Sequence, residues 1–497
     1  MTVNAQPEEA VSLGDLAAAV AGSRLLGDGS TPIRDVTHDS HQAAPGVLFA
    51  ARKGLRTDGH DHAESAVAAG AVALLVERVL DLPVPQLLVG EVAAVLGPVA
   101  AIVHGRPSDE LLLTGVTGTN GKTTTTYLLE SVLAAAGHRT GLVGTVETRS
   151  AGRAIPAART TPEASDLQRL WRRMRDDAVS AAAIEVSSHG LALRRIDGTR
   201  LDVAAFTNLT QDHLDFHDDL EDYFEAKARL FTPELSERGV VVVDDPWGRR
   251  LAARASVPVS TVALDGPADW TAADVRSGPE GSTFRARCAD GELAVRTWLP
   301  GRYNVANALL AVAVAAAAGI EPEVAAAGVA ALQGVPGRME RVDAGQPFGV
   351  IVDYAHTPDS VANVLRAARE LTGGRLITVL GCGGDRDAAK RPLMGAAAAT
   401  LSDLAVLTSD NPRSEDPEAI LAAMAAGAAD AGRSVRTVVD RRSGIALALA
   451  EARPGDLVVI AGKGHETYQE LADGTIPFDD RAVARELLSA PGEGVAP

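Results

Sequence analysis

The sequence predicts an α/β protein of three domains. These are a small N-terminal α/β domain, a central P-loop-type domain on a doubly wound, mostly parallel sheet, and a C-terminal Rossmann-like α/β domain. Three observations carry this reading. Short apolar runs alternate with helical patterns, as in strands joined by crossover helices. A Gly-rich loop sits between a strand and a helix near residue 118. The alternation restarts after the cluster Gly334-Val-Pro-Gly337. The 497 residues suffice for three such units at about 100–200 residues each, with expected spans 1–108, 109–336 and 337–497.

The elements follow in order. Val47–Ala50 and Ala71–Val76 read as buried strands and His62–Ala69 as a helix. Arg106-Pro-Ser-Asp109 is a turn and linker. Glu110 to Val116 is a strand that enters the Gly-rich loop, and helix Thr123–Ala136 follows, closed by Gly137. Further strands are expected at Leu142–Val146, Ala181–Val186, Val203–Thr207 and Val240–Val243. After the second linker come strand Phe348–Val352, helix Pro358–Glu370, and strands Leu376–Leu380, Leu404–Thr408, Val435–Val439 and Leu457–Ala461. Ala490–Pro497 reads as a frayed tail.

Composition narrows the function. With 47 Lys+Arg against 65 Asp+Glu, the net charge of −18 excludes a coat for nucleic acid and a surface held on anionic lipid. The 46% hydrophobic content excludes disorder. Cys288 and Cys382 form neither a disulfide framework nor a metal-type spacing, which suits a reducing compartment. The apolar stretch Ala308–Ile320 is shorter than the roughly 20 residues a membrane span needs. No basic region precedes an apolar run in Met1–Gly14, so no secretory leader is expected. A cytoplasmic monomer without nucleic-acid or membrane partners is the expectation. Only five of the 47 basic residues are lysine. Four of them, Lys122, Lys227, Lys390 and Lys463, fall inside the motifs below.

Thr114-Gly-Val-Thr-Gly-Thr-Asn-Gly-Lys-Thr-Thr124 has the context of a phosphate loop. Its backbone N–H groups can cradle phosphate oxygens at a helix N-terminus. Lys122 supplies a point charge and the Thr123 hydroxyl a ligand for Mg²⁺. The strict spacing would place Gly at 116, where this chain has Val116. Gly115, Thr117, Gly118, Thr119, Asn120, Gly121, Lys122, Thr123 and Thr124 form the expected ATP loop. Glu185, at a strand's C-terminal end, is placed to hold Mg²⁺, which takes oxygen ligands. Downstream lie Thr207-Asn-Leu-Thr-Gln-Asp-His-Leu-Asp-Phe-His217, then Lys227 on a helix.

The loop Thr-Gly-Thr-Asn-Gly-Lys-Thr-Thr resembles that of the Mur ligases, which build the peptide of peptidoglycan precursors, and that of folate polyglutamate ligases. The order Glu-Val-Ser-Ser-His, Asn-Leu-Thr-x-Asp-His-Leu-Asp and Ala-Lys resembles the Mur central domain. The resemblance implies catalytic roles for Lys122, Glu185, His213 and Lys227. It implies that Thr123, Glu185, His213 and Lys227 hold the metal, with Lys227 as N6-carboxylysine through a CO₂-derived carbamate. A carbamate is an anion that can meet Mg²⁺, whereas an ammonium would be repelled. Asn307 in Gly301-Arg-Tyr-Asn-Val-Ala-Asn307 is implied at adenine, Arg338 in Gly337-Arg-Met-Glu340 at ATP, and Asp353 on the ribose side.

Gly381-Cys-Gly-Gly-Asp-Arg-Asp387, Ser409-Asp-Asn-Pro-Arg-Ser-Glu415 and Ala461-Gly-Lys-Gly-His-Glu466 all follow expected strands. They resemble the family branch that adds meso-diaminopimelate to UDP-N-acetylmuramoyl-L-alanyl-D-glutamate. The resemblance implies an amino-acid site of Arg386, Asp410, Asn411, Pro412, Arg413, Gly462 and Glu466. Arg413 would pair with the distal carboxylate, a bidentate contact that lysine cannot make. Thr37-His-Asp-Ser40 and Gly54–Gly59 resemble uridine-diphosphate loops, and Ser40, Thr160, Thr161, Ser187 and Arg195 are implied at the UDP-MurNAc-dipeptide. Leu193 departs from the polar contact of some relatives. The implied reaction is amide formation through an acyl phosphate, using ATP and Mg²⁺. A lysine-adding relative, a folate-type ligase and a non-catalytic nucleotide-binding protein stay open as alternatives.

Overall fold

The computed structural model describes residues 10–54, 57–155 and 159–489. The expected tail from Ala490 lies outside the described residues, as do Leu55 and Arg56 of the Gly54–Gly59 stretch. Three principal sheets carry the architecture. The first has five strands in the order Arg24–Leu26, Gln86–Leu88, Ala73–Val76, Val47–Ala50 and Asp35–Thr37, parallel except for the first pair. Helices Ala63–Ala68 and Val92–Val103 bury Ala66, Leu96 and Val99 against its faces.

The central sheet has eleven strands. Its middle runs parallel in the order Thr140–Val143, Ala181–Glu185, Leu112–Thr117, Leu201–Phe206, Ser236–Val242, Val259–Ala263 and Trp270–Gly278. Leu112–Thr117, Ala181–Glu185 and Leu201–Phe206 at its centre are almost wholly buried because both faces are covered. Helices Lys122–Ala135, Arg302–Ala317 and Pro322–Ala331 pack on one face. Helices Ala164–Asp176, Leu220–Ala228 and Pro246–Arg254 cover the other. The Ala308–Ile320 stretch lies mostly on the buried Arg302–Ala317 helix, and no described helix is long and apolar enough to cross a membrane.

The third sheet orders Glu340–Arg341, Gly349–Asp353, Leu457–Ala461, Leu376–Cys382, Leu404–Ser409 and Arg436–Val438, parallel after its first pair. Helices Pro358–Glu370, Lys390–Leu401 and Pro417–Asp430 bury one face, and Arg441–Glu451 and Asp480–Ser489 the other. Thr357 caps Pro358–Glu370 through a reciprocal box with Ser360.

Two expectations need correction. The strand expected over Leu142–Val146 ends at Val143, because the chain turns to deliver the Thr145 amide to Glu185. The antiparallel edge Trp270–Gly278, Gly281–Cys288 and Gly291–Thr297 breaks the expected β/α rhythm. Its period-two signal was in the sequence: Phe284 and Ala286 are buried between exposed Thr283, Arg285 and Arg287.

Candidate active site

Strand Leu112–Thr117 ends in a loop that opens helix Lys122–Ala135. Glycine is required there by both conformation and space. Gly118 has φ +143°, and a Cβ on it would lie 1.8 Å from Thr207 Oγ1. Gly121 has φ +87°, and its Cβ would lie 2.5 Å from Asn307 Oδ1. Lys122 Nζ folds back to donate to the carbonyls of Gly118 (2.9 Å) and Thr119 (2.8 Å). Burial pulls its ammonium below the ordinary lysine range. Thr124 is buried on the first helical turn. Gly115 is a correction to the loop reading. It sits inside the strand, where a Cβ would lie 2.3 Å from Leu201 Cδ1, and it does not line the cleft. Thr117 closes the strand as a fully buried residue off the cleft wall.

Thr123 Oγ1 donates to Glu185 Oε2 at 3.0 Å and accepts from Arg338 Nη2 at 2.9 Å. Glu185 also accepts from the Thr145 amide at 2.8 Å and the Thr145 hydroxyl at 3.1 Å. Among the described residues no group of three or more His, Cys, Asp and Glu side chains is poised to hold a metal. The buried Thr123 and Glu185 oxygens beside the phosphate loop nonetheless fit Mg²⁺, which commonly takes one or two carboxylates and completes its shell with nucleotide phosphates and water.

His213 has φ +56° and packs edge-on against His189, with ring centroids 4.8 Å apart. Burial pushes His213 down to about 3 and His189 to about 4. Asp212 is buried, which opposes its ionisation, yet His213, His356, Lys390 and Lys122 hold it at about 2. Lys227 is 1% exposed. Its Nζ donates to Gly118 O at 2.9 Å and lies 4.4 Å from the Tyr223 ring centroid. No carboxylate pairs with it among the described residues. Burial, and then Lys122, drive its amine well below the ordinary range. Asn307 bonds to Asn304 (3.1 Å) and Thr125 (3.4 Å) beneath the loop.

The linker after Val335 brings Arg338 to this centre. Its guanidinium lies 4.5 Å from the Tyr354 ring centroid. Gly337 is pressed on the Ala461–Glu466 loop, since a Cβ there would lie 2.1 Å from His465 N. Asp353 spends both carboxylate oxygens on backbone amides, of Met339 at 2.7 Å and Ala355 at 2.8 Å. It lines the cleft while fixing the linker.

One cleft of ≈ 770 Å³ is lined by Thr119 to Thr124, Glu185, His213, Lys227, Asn307, Arg338 and Asp353, together with Thr160, Thr161, Ser187, Arg195 and Arg386. Thr161 Oγ1 links Glu185 O (2.9 Å) to the Ser187 amide (3.0 Å). Thr160 meets the Thr145 hydroxyl at 3.0 Å. Arg195 pairs with Glu163 at 3.0 Å. Ser40 opens a short 3₁₀ turn of the first domain, away from this cleft wall.

The other residues expected at the amino acid form a separate cluster. Buried Lys463 donates to Asn411 Oδ1 (2.8 Å) and Glu466 Oε2 (2.9 Å), and lies 3.5 Å from Asp410 Oδ1. Asn411 donates to Glu466 at 2.9 Å. Burial and Asp410 raise the Glu466 carboxyl. Pro412 is buried, and Gly462 has φ +116° with its Cβ position 2.6 Å from Asp410 Oδ2. Arg413 has φ +53° and bonds to Glu470 and Gly384.

Sequence reasoning missed several groups. Asp359 accepts from Asn120 at 3.0 Å across the two larger domains. Lys390, which the scarcity of lysine marks but to which the sequence reading gives no role, lies 4.0 Å from Asp212. Arg52, which reaches Glu163 from the first domain, had no signal among so many arginines.

These features define a nucleotide-dependent enzyme whose phosphate loop, carboxylate and buried lysine line one cleft with Arg338, Asp353 and Arg386 of the C-terminal domain. The chain belongs to the Mur ligase family. It matches the models for the Mur ligase family catalytic domain over residues 32–103, the Mur ligase middle domain over 116–315 and the Mur ligase glutamate ligase domain over 337–464. It is 52% identical to the UDP-N-acetylmuramoyl-L-alanyl-D-glutamate–2,6-diaminopimelate ligase of Streptomyces coelicolor, covering 93% of each chain. It is 46% identical to the ligase of the same name from Geobacillus kaustophilus, covering 93% of this chain and 96% of the relative. A solved structure bearing that ligase name aligns with TM-score 0.69 and 33% identity over 97% of this chain and 99% of that one. A MurF ligase from Thermotoga maritima in complex with ADP shares the fold at TM-score 0.63 and 20% identity, covering 92% and 96%.

Proposed function

We propose that this protein joins meso-diaminopimelate to the D-glutamate of UDP-N-acetylmuramoyl-L-alanyl-D-glutamate, with ATP converted to ADP and phosphate. The observation that carries it is the Arg413 guanidinium, held by Glu470 and Gly384 O on the loop that also carries Asn411, which bonds Glu466. A pocket with a positioned arginine selects an amino acid that bears a second carboxylate. The 46–52% identical relatives with that ligase name support the choice.

The residues divide the work. Lys122 and the loop amides hold the nucleotide phosphates, with Asn307 and Arg338 on the nucleotide and Asp353 ordering the linker. Thr123 and Glu185, with His213 and Lys227 near them, would hold Mg²⁺, which neutralises phosphate charge when bound. Ser40, Thr160, Thr161, Ser187 and Arg195 orient the UDP-MurNAc-dipeptide. A glutamate carboxylate oxygen attacks the γ-phosphorus and ADP leaves. The neutral amine of diaminopimelate then attacks the acyl carbon, phosphate leaves and the nitrogen loses a proton. Positioning and charge management suffice, and no protein nucleophile is needed.

Lys227 is the carbamate-bearing residue in this reading. A buried amine with no carboxylate partner is costly as an ammonium. As a neutral amine it adds to CO₂, forming a C–N bond and releasing a proton. The chain acts in the cytoplasm as a monomer in the same reading.

The test supplies ATP, Mg²⁺ and the UDP-dipeptide, and compares meso-diaminopimelate with L-lysine by product mass and phosphate release. A tripeptide product with diaminopimelate alone is expected. Product with lysine alone would overturn the specificity, and no product with either would overturn the ligase reading.

A further inference from the structure

Arg413 is held from one side by a hairpin the mechanism does not use. Strands Tyr468–Leu471 and Gly474–Pro477 form this two-stranded ribbon. Every residue of the second strand is exposed, with Ile476 at 42%. The inner strand is tied to the Asp410–Arg413 stretch. Gln469 Nε2 donates to Asp410 O at 2.6 Å, the Glu470 amide donates to Asn411 Oδ1 at 3.0 Å, and the Arg413 amide donates to Glu470 O at 3.1 Å. An isolated two-stranded ribbon is marginal in water, so these links hold it in place.

Glu470 also engages the Arg413 side chain. Arg413 Nε donates to Glu470 Oε2 at 2.6 Å, and Nη1 donates to Gly384 O at 2.7 Å. Among the described residues Nη2 has no hydrogen-bond partner. The guanidinium is therefore fixed through Nε and Nη1, while Nη2 stays free to donate to a carboxylate. The second Glu470 oxygen, Oε1, makes no hydrogen bond among the described residues, and the Glu470 side chain is 37% exposed. A carboxylate on Nη2 thus lies next to a protein carboxylate. That arrangement suits a ligand that carries a cation on the carbon bearing its carboxylate.

We propose that Glu470 is a specificity-determining residue for the amino-acid substrate. It orients Arg413 through Nε and receives, on Oε1, the ammonium attached beside the carboxylate that Arg413 binds. Together the two side chains read the distal end of a diamino diacid as a zwitterion. This rests on the diaminopimelate reading above. It adds a second requirement: a diacid that lacks the distal amine is a poor substrate even though it satisfies Arg413. A site built for a charged hydrogen bond rejects the analogue that leaves its own group unpaired.

The experiment measures kcat and KM of the full-length wild type and Glu470→Gln with meso-diaminopimelate and with 2-aminopimelate, which keeps the carboxylate and lacks the distal amine. The wild type should show a KM for 2-aminopimelate about tenfold higher, the order of one charge-assisted hydrogen bond. Glu470→Gln keeps an acceptor for Arg413 Nε. It should raise the KM for meso-diaminopimelate about tenfold more than the KM for 2-aminopimelate, and so erase the preference. An equal change with both substrates, or no change with either, overturns the proposal. If Glu470→Gln does not fold, the wild type decides: equal kcat/KM for the two acids overturns the proposal, and a preference for meso-diaminopimelate supports it. No product from wild type with meso-diaminopimelate overturns the ligase reading itself.

Discussion

At the residue scale, three side-chain environments make sharp predictions. Gly118→Ala adds a methyl 1.8 Å from Thr207 Oγ1 at φ +143°. It should weaken ATP binding by at least about 10²-fold, since both backbone strain and a clash must be relieved, and a fluorescent-nucleotide titration would show it. Lys227→Ala should lower kcat by roughly 10²–10³-fold, the scale of losing one preorganised charge, and added short carboxylates should restore part of it. Full activity without them would remove the carbamate from the mechanism. Arg413→Ala should cost about 2–5 kcal/mol in kcat/KM for diaminopimelate. Arg413→Lys should not restore it, because an ammonium cannot reproduce the guanidinium fork.

At the scale of elements, the site is built from strand ends. Leu112–Thr117, Ala181–Glu185 and Leu201–Phe206 are adjacent in the central sheet, so the loops after them meet at one edge. The phosphate loop, Glu185 and the Asp212–His213 loop converge for that reason. The first domain docks through Asp35, which accepts from Arg169 on helix Ala164–Asp176 and lies 3.2 Å from His104 Nε2. Burial opposes ionisation of Asp35, but His104 and Arg169 lower its carboxyl below the ordinary 3.8. A lowered folded value means that this stabilisation is fully present above 3.8 and is lost as pH falls through the folded value. Asp35→Asn should therefore speed proteolysis of the first domain at neutral pH, by up to about fivefold for a half-exposed pair. The gap from wild type should close below about pH 4.

At the scale of the whole molecule, the linker at Gly337–Glu340 makes the two larger domains one machine. Arg338 leaves the linker, lies against Tyr354 and reaches Thr123 of the phosphate loop. Tyr354 lies 5.0 Å, ring to ring, from His465 in the loop that carries Glu466. A continuous chain of contacts thus runs from Thr123 through Arg338 and Tyr354 to the His465–Glu466 loop. Arg338→Ala should lower kcat/KM by about 10²-fold through lost alignment of the domains. ATP affinity should fall less than tenfold, because the loop amides and Lys122 remain; steady-state kinetics beside nucleotide titration would separate the two effects.

Much of this was legible in the residues. Local rules found helix Pro358–Glu370 and strand Leu457–Ala461 with their observed ends, because a Pro-led cap and a bounded apolar run are local signals. The phosphate loop was legible for the same reason, as were the motifs of the family. The antiparallel edge after Trp270 was less so: its alternation is short and lies among residues that also suit loops. Gly115 was misplaced because sequence spacing alone does not say where the strand stops and the loop begins.

The class of fold, the nucleotide chemistry and the family resemblance are each written in contiguous stretches with a local physical cause, so the residues alone disclose them. Which distant residues come together emerges from the folded chain. Lys227 shares a carbonyl with Lys122, Asp353 is spent on the linker, and Glu470 holds Arg413. Those contacts depend on how sheets, helices and a hairpin pack in space, and packing is set by the whole chain rather than by any segment of it.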